Sequence, residues 1–485
     1  MAAVAASEIA QRLREIVGDA HVIAGEGLEP YTHDATFMDA ALPCAVFPGT
    51  TEEVAAIVKA CSDMGTPVLA RGGGSSLVGG SVPIGGAVVL SLDRFNTIEI
   101  DPANVVAVAG AGVITGHLQD AAAEHGLMYP PDPASISMCT IGGNIACNSG
   151  GMVCVKYGVT ADYVIGMTVV TAAGTILRLG GRTRKRASGY RLAQLFIGSE
   201  GTLGIVTEVV VKLIPKPRFR ATAMVGYHSI EAAARAVPRL LGSGHFPTAI
   251  EIIDRRSLEM VRKHLPAGFD TGLGAALIVE QDGNDREHVD SSLLEIVELL
   301  DGVENRVAQS EAEREKIWKA RRSFGHVLMA MRKNFFAEDV AVPISQIPEM
   351  VRRVERIAAE TGLEIGVIGH AGDGNLHPTI LFSDEQRPLV GRAAARIFRD
   401  AVELGGSISA EHGLGALKRD YAELEHGPDA MELMRSIKAL LDPKGILNPH
   451  KVFPESPADD DFLARQPGWG VKREGEIRDR SELGA

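Results

Sequence analysis

Directly after the apolar run 68–70 the chain reads Arg71-Gly72-Gly73-Gly74-Ser75-Ser76-Leu77-Val78-Gly79-Gly80. So dense a run of glycine and serine neither continues a strand nor seeds a helix, so the backbone must turn there with little side-chain cover. Successive small residues leave N–H groups open, and concave arrays of such groups bind phosphate oxygens. The two standard phosphate motifs do not account for this loop. Residues 110–116 give G-x-G-x-x-x-G, one residue too long for the fingerprint of a doubly wound dinucleotide fold, and no acidic residue follows at the usual distance. Residues 74–79 have P-loop spacing, but Gly80-Ser81 stand where lysine is required. Taken alone, the loop can still be a flexible turn.

Three more segments argue against that. Residues 130–135, Pro-Pro-Asp-Pro-Ala-Ser, are stiff and extended. Thr140-Ile-Gly142-Gly143-Asn144 and Asn148-Ser-Gly-Gly151 form a second small-residue surface. Between Phe196 and Thr207 glycines recur at every third position, Gly198, Gly201 and Gly204, before an apolar run. Several such loops in one region suit a channel for a long, flat, phosphate-bearing molecule.

A chain of 485 residues exceeds one ordinary core, so two or three domains are expected. Apolar residues at 45% and charged residues at 23% are an ordinary globular balance, and a net charge of -13 argues against nucleic acid as a partner. Cys44, Cys61, Cys139, Cys147 and Cys154 contain no C-x-x-C pair, which argues against a disulfide framework, a zinc ribbon or an iron–sulfur run. Reduced thiols suggest a cytoplasmic protein. The first 25 residues read as a charged amphipathic helix and not a signal peptide. No apolar run approaches the ~20 residues that span a bilayer, so any membrane contact is peripheral, at the inner face.

Strand and helix patterns alternate along the chain. Strands are expected at 45–47, 68–70, 87–92 and 105–109, with helices at 5–18, 52–64 (capped by Thr50 or Thr51) and 117–125. Beyond Pro215 and Pro217 come strands at 221–226, 249–253 and 275–280, helices at 229–241, 255–264 and 285–300, and a long helix at about 310–332. A strand pair at 365–382 and helices near 388–404 and 429–441 follow. The fold class is α+β: one lobe over 1–217, then a second lobe from 218 in which helices pack on one face of a sheet. Residues 455–485 form a polar, loosely ordered tail.

Residues 365–381 carry a second signal. Asp373-Gly374 between two apolar runs reads as a type I′ hairpin turn, which would set His370 directly opposite His377. Imidazoles with Cβ atoms ~5 Å apart suit a divalent metal; a hydrogen-bonded pair on a sheet face is the plainer reading. In Ala410-Glu411-His412-Gly413-Leu414-Gly415 an extended backbone sends Glu411 and His412 to opposite sides. An isolated E-H-G is more often simply a polar loop.

The order and spacing of all these segments, over residues 30–453, resemble the vanillyl-alcohol oxidase and p-cresol methylhydroxylase superfamily. Within it they are most similar to bacterial glycolate oxidase catalytic subunits and FAD-linked D-lactate dehydrogenases. The resemblance implies a two-lobed PCMH-type FAD-binding domain over 1–217, an α+β cap with an antiparallel sheet over 218–425, and a segment over 426–454 that returns to the first domain. It implies that Arg71, Gly72, Gly73, Gly74, Ser75, Ser76 and Gly79 hold the FAD pyrophosphate. Asp132, Ser135, Thr140, Gly142, Gly143, Asn144, Asn148 and Gly151 would line the path toward the flavin ring. Glu200, Gly204 and Ile205 would meet the adenosine side, and Asn448 lies in the segment 445–449 that returns to the flavin. No histidine or cysteine in these loops announces a covalent link, so non-covalent FAD is expected.

H-x-G-D-G-N-x-H followed by E-H-G-x-G resembles the cap signature of that family. It implies that His370, His377 and Glu411 bind a divalent metal, zinc or manganese, and that His412 is the general base. Trp318-Lys319-Ala320-Arg321 resembles its W-x-x-R segment, making Arg321 the clamp for a substrate carboxylate, although a helical arginine is commonly a solvated surface charge. Asn375 is a further substrate contact. The implied activity is oxidation of a small anionic D-2-hydroxy acid, glycolate or D-lactate. D-2-hydroxyglutarate would need another cation, and around 334–339 apolar and acidic residues stand instead, with Arg332 and Lys333 nearby. A non-redox FAD transferase of the alkyl-glycerone-phosphate synthase type and a metal-dependent hydrolase are the other readings; the latter leaves the first 217 residues unexplained. Lacking iron–sulfur ligands, the chain would pass electrons to a separate acceptor: an iron–sulfur subunit, quinone, cytochrome, electron-transfer flavoprotein or oxygen. A homodimer is compatible with all of this.

Overall fold

The local signals that open elements are satisfied one by one in the computed structural model, which describes residues 2–262, 265, 269, 272–324, 327 and 334–469. The Thr50 side chain accepts from Glu53 N–H to start helix Thr51–Met64, and Gly65 ends it at φ 64°. Ser229, Asp285 and Ser310 cap their helices in the same way. The chain divides into two compact units, Met1–Lys216 with Ile408–Ala458, and Pro217–Ser407 with Asp459–Ala485.

The first unit holds two main sheets. Strands Ala45–Val46, Val88–Ser91 and Val68–Arg71 lie parallel in that order, with Val22–Ile23 antiparallel on the edge. Helices Ala2–Val17 and Thr51–Met64 share a core with them through Leu13, Ile57, Val58 and Leu90. The second sheet is antiparallel, in the order Ile98–Asp101, Val106–Gly110, Ile205–Lys212, Val164–Val170, Ile176–Gly180. Its core gathers Leu118, Ile141, Ile145, Val169 and Val209. The returning segment rejoins this unit by pairing beside Val68: Val68 N–H donates to Ile446 O at 2.8 Å, and Asn448 N–H to Val68 O at 2.9 Å.

The second unit is one eight-stranded antiparallel sheet. Its order is Glu304–Val307, Phe219–Tyr227, Ala275–Gly283, Ala249–Asp254, Glu364–His370, Asn375–Phe382, Asn334–Ala337, with Val340–Ala341 also on Asn375–Phe382. Helices Ile230–Leu241, Arg286–Leu300 and Ile347–Thr361 bury their apolar stripes against it.

Three features differ from the sequence reading. The chain leaves the second unit at Ile408 and not near 425, so Glu411 and His412 belong to the unit of the glycine loops. Residues 459–469 are not loose: Phe462 is fully buried beside Phe398, and Trp469 packs 5.9 Å from Phe382 and 6.2 Å from Phe336. Third, His370 pairs with Asn375 and Ile368 with His377, because the turn spans four residues and only Gly374 takes positive φ, 89°. The helix expected over 310–332 is described as Glu311–Arg322; Arg332, Lys333 and the tail from 470 lie outside the described residues. Among the described residues no helix is long and apolar enough to cross a membrane.

The hairpin register depends on Gly374, where an added Cβ would fall 2.1 Å from Val342 O at a left-handed φ. Gly374→Ala should therefore destabilise the protein by about 1–3 kcal/mol. An unchanged midpoint in chemical denaturation would contradict this register.

Candidate active site

In the first unit, the loop after strand Val68–Arg71 is pinned at both ends and open between them. Arg71 turns back on the protein: Nη1 donates to Ser81 O at 3.0 Å and Nη2 to Pro30 O at 3.1 Å, with the guanidinium 6.0 Å over the Tyr31 ring. Ser76 Oγ accepts from the N–H groups of Val78 and Gly80. Gly72 and Gly73 lie so close to the segment before helix Ile141–Cys147 that a Cβ would fall 2.1 Å from Thr140 Oγ1 and 1.9 Å from Met138 O. Among the described residues, the backbone N–H groups from Gly72 to Leu77 donate to no protein acceptor. A consecutive run of free donors fits a diphosphate.

Around this loop, many residues expected to line the cofactor serve as its scaffold. Thr140 caps its helix by accepting from Gly143 N–H, and Gly142 N–H donates to Ala111 O, where a side chain would not fit. Asn144 Nδ2 donates to Thr115 Oγ1 at 2.7 Å, and Asn148 Oδ1 accepts from Ala161 N–H at 2.9 Å. A Cβ on Gly151 would come 2.5 Å from Asp132 O, one on Gly204 2.6 Å from Val169. Ser135 O accepts from Met138 and Cys139 N–H, and Ile205 is buried at the head of its strand. Asn448 Nδ2 donates to Gly80 O and Glu200 O, joining three segments. Gly79 takes φ 75° beside Met38.

Glu200 has a role the sequence did not suggest. Its carboxylate accepts from Leu414 N–H at 2.7 Å and Gly415 N–H at 2.8 Å, so it fixes the loop that presents Glu411 and His412. Val78 O, in the first glycine loop, accepts from Ala416 and Leu417 N–H and fixes the far side. Burial pushes the Glu200 carboxyl above the usual range, and the two N–H groups pull against it. Glu411 Oε1 lies 3.7 Å from His412 Nε2, and Glu411 Oε2 occupies the space that a side chain at Gly150 would fill.

In the second unit, strand Ala249–Asp254 carries Glu251, whose side chain has no exposed surface. One oxygen is 2.6 Å from His370 Nδ1, the other 2.6 Å from Arg321 Nε. Burial raises the cost of its charge, but His370 and Arg321 outweigh burial and hold the carboxyl below the usual range. Arg321 is buried and not a surface charge; neither Nη donates to a described residue. Its helix is anchored by Trp318, whose Nε1 donates to buried Glu280 at 2.6 Å, with Thr222 and Arg314 on the same carboxylate oxygen. The corrected register still leaves the two histidines on one face, with ring centroids 5.2 Å apart at 86°. His377 Nδ1 is 3.8 Å from Asp339, which accepts from Asn375 Nδ2 at 2.6 Å. Asn375 Oδ1 is buried with no hydrogen-bond partner among the described residues. Two neutral imidazoles this close suit a divalent ion.

Glu251 and Asp339 were missed in the sequence. The signal for Glu251 was there, a single acid inside the apolar run Ala-Ile-Glu-Ile-Ile.

Residues 42–180 match the family model "FAD binding domain", and residues 216–452 match "FAD linked oxidases, C-terminal domain". Glycolate oxidase subunit GlcD of Bacillus subtilis is 42% identical over 434 residues, covering 87% of this chain and 92% of that one. The chain belongs to the FAD-linked oxidases. This FAD-linked oxidase is also 36% identical over 461 residues to D-lactate dehydrogenase of Anaerostipes hadrus, covering 92% and 97% of the two chains. Its fold matches the solved structure of p-cresol methylhydroxylase with a TM-score of 0.74 at 20% identity, over 93% of this chain and 97% of that one. FAD is accordingly the cofactor, and the fold is the PCMH type.

Glu200→Gln would set an amide NH2 against Leu414 or Gly415 N–H and leave a buried donor without an acceptor, at about 1–3 kcal/mol. Amide exchange across 411–415 should accelerate accordingly. Unchanged protection there would contradict the anchoring role of Glu200.

Proposed function

We propose that this FAD-linked oxidase oxidises a short D-2-hydroxy acid, of the glycolate or D-lactate kind, to the 2-oxo acid. The observation that carries the proposal is the buried chain Arg321–Glu251–His370, 2.6 Å at each link. It couples a cation suited to a substrate carboxylate with an imidazole suited to a metal. The names of the relatives, glycolate oxidase and D-lactate dehydrogenase, support the same reaction class.

In this reading Arg321 binds the substrate carboxylate through its Nη atoms, whose planar fork matches two oxygens. Asn375 Oδ1 accepts from a substrate hydroxyl. His370, His377 and Glu411 would hold a divalent ion, zinc or manganese, and such an ion would supply Lewis acidity that eases loss of the hydroxyl proton. His412 takes the hydroxyl proton, a task for which histidine is the commonest side chain. FAD, when bound, supplies the hydride acceptor that no side chain can, and the N–H groups of Gly72 to Leu77 hold its diphosphate. A short substrate is favoured because buried acids, Glu338 and Asp339, stand near His377 where a second carboxylate would need a cation. Electrons then pass to a separate acceptor.

Anaerobic bleaching of the flavin by a panel of D- and L-2-hydroxy acids tests this reading. D-isomers and glycolate should bleach it, and full removal of the metal should slow bleaching by roughly 10²-fold or more. Bleaching by L-isomers alone would overturn the substrate assignment, and an undiminished rate after metal removal would overturn the role of the ion.

A further inference from the structure

We propose that Glu251 sets the tautomer of His370, keeping the proton on Nδ1 and the ring's lone pair on Nε2, the nitrogen through which His370 would ligate a metal. The proposal rests on the reading of His370 as a ligand and adds a positioning residue to it. Its basis is the pair of 2.6 Å contacts that Glu251 makes. One oxygen is taken by Arg321 Nε–H, which is always a donor because a guanidinium cannot give up its proton or accept a bond. The other faces His370 Nδ1, and a carboxylate oxygen accepts there only if that nitrogen carries hydrogen. The lone pair of the neutral ring then sits on Nε2. Glu251 has no exposed surface, so water cannot replace it as acceptor. A carboxylate behind a ligating imidazole fixes ring orientation and raises ligand basicity, and its loss typically weakens metal binding 10- to 100-fold.

Glu251→Gln separates this role from a merely structural one, because an amide offers one acceptor and one donor group. Arg321 can only donate, so the amide oxygen must stay with Arg321. The amide NH2 then faces His370, whose neutral ring can accept on Nδ1 only by moving its proton to Nε2. The variant therefore keeps the Arg321 contact and loses the ligand. Zinc affinity, measured by competition with a chromophoric chelator, should fall by about 10- to 100-fold. Glu251→Asp, with both acceptor oxygens retained, should recover part of that loss.

The unmutated protein gives a second readout that needs no variant. Nitrogen-15 shifts of the metal-free, histidine-labelled protein should place the His370 proton on Nδ1; a proton on Nε2 would overturn the proposal. Zinc binding by Glu251→Gln equal to that of the unmutated chain would overturn it too. If the unmutated chain itself takes up no zinc or manganese, the metal reading fails first, and the tautomer result still decides what Glu251 does.

Discussion

One carboxylate without exposed surface, Glu251, organises the chemistry of the second unit. Taking such a charge out of water is expensive, and it persists only when both oxygens are met by strong donors. Here a histidine and an arginine from distant parts of the sequence meet them at 2.6 Å each. The strand Ala249–Asp254 brings the acid, the neighbouring strand Glu364–His370 the imidazole, and the helix Glu311–Arg322 the guanidinium. Removing any one partner leaves an uncompensated buried charge, so the three are fixed together. Trp318 and Glu280 then appear as the foundation of the helix that delivers Arg321.

The first unit repeats the device with backbone donors. Glu200, itself at φ 51°, accepts from Leu414 and Gly415 N–H and thereby sets the loop carrying Glu411 and His412. Val78, from the phosphate-type loop, supplies a carbonyl to the next two residues. The glycine segments are therefore of two kinds. The N–H groups of Gly72 to Leu77 meet no acceptor among the described residues, while Gly142, Gly151 and Gly204 lack side chains because protein atoms occupy that space. Composition alone cannot separate these kinds, since both require the smallest residue.

Much of the fold was legible because its signals are local. Thr50, Ser229 and Asp285 announce their helices, the proline pair at 215 and 217 marks the first boundary, and the glycine loop after 68–70 points to a phosphate. The candidate residues His370, His377, Arg321 and Asn375 were legible through spacing and resemblance. What escaped is non-local. The pairing register of His370 was misjudged because Asp373 does not take the positive φ of a two-residue turn, so the hairpin slips to a four-residue one. Glu251 escaped because its partners lie 70 and 119 positions away. The burial of 459–469 escaped because Phe462 and Trp469 sit among prolines and acids that mask their packing.

In the proposed metal site, His370, held by Glu251, and His377 would bind one divalent ion through nitrogen. Pulsed electron paramagnetic resonance of the manganese-loaded protein measures this directly, because nitrogen bound to the ion produces a resolved hyperfine coupling. Couplings from two imidazole nitrogens are expected, one of them lost in His377→Ala. A bound ion that shows no imidazole nitrogen in its coordination would contradict it.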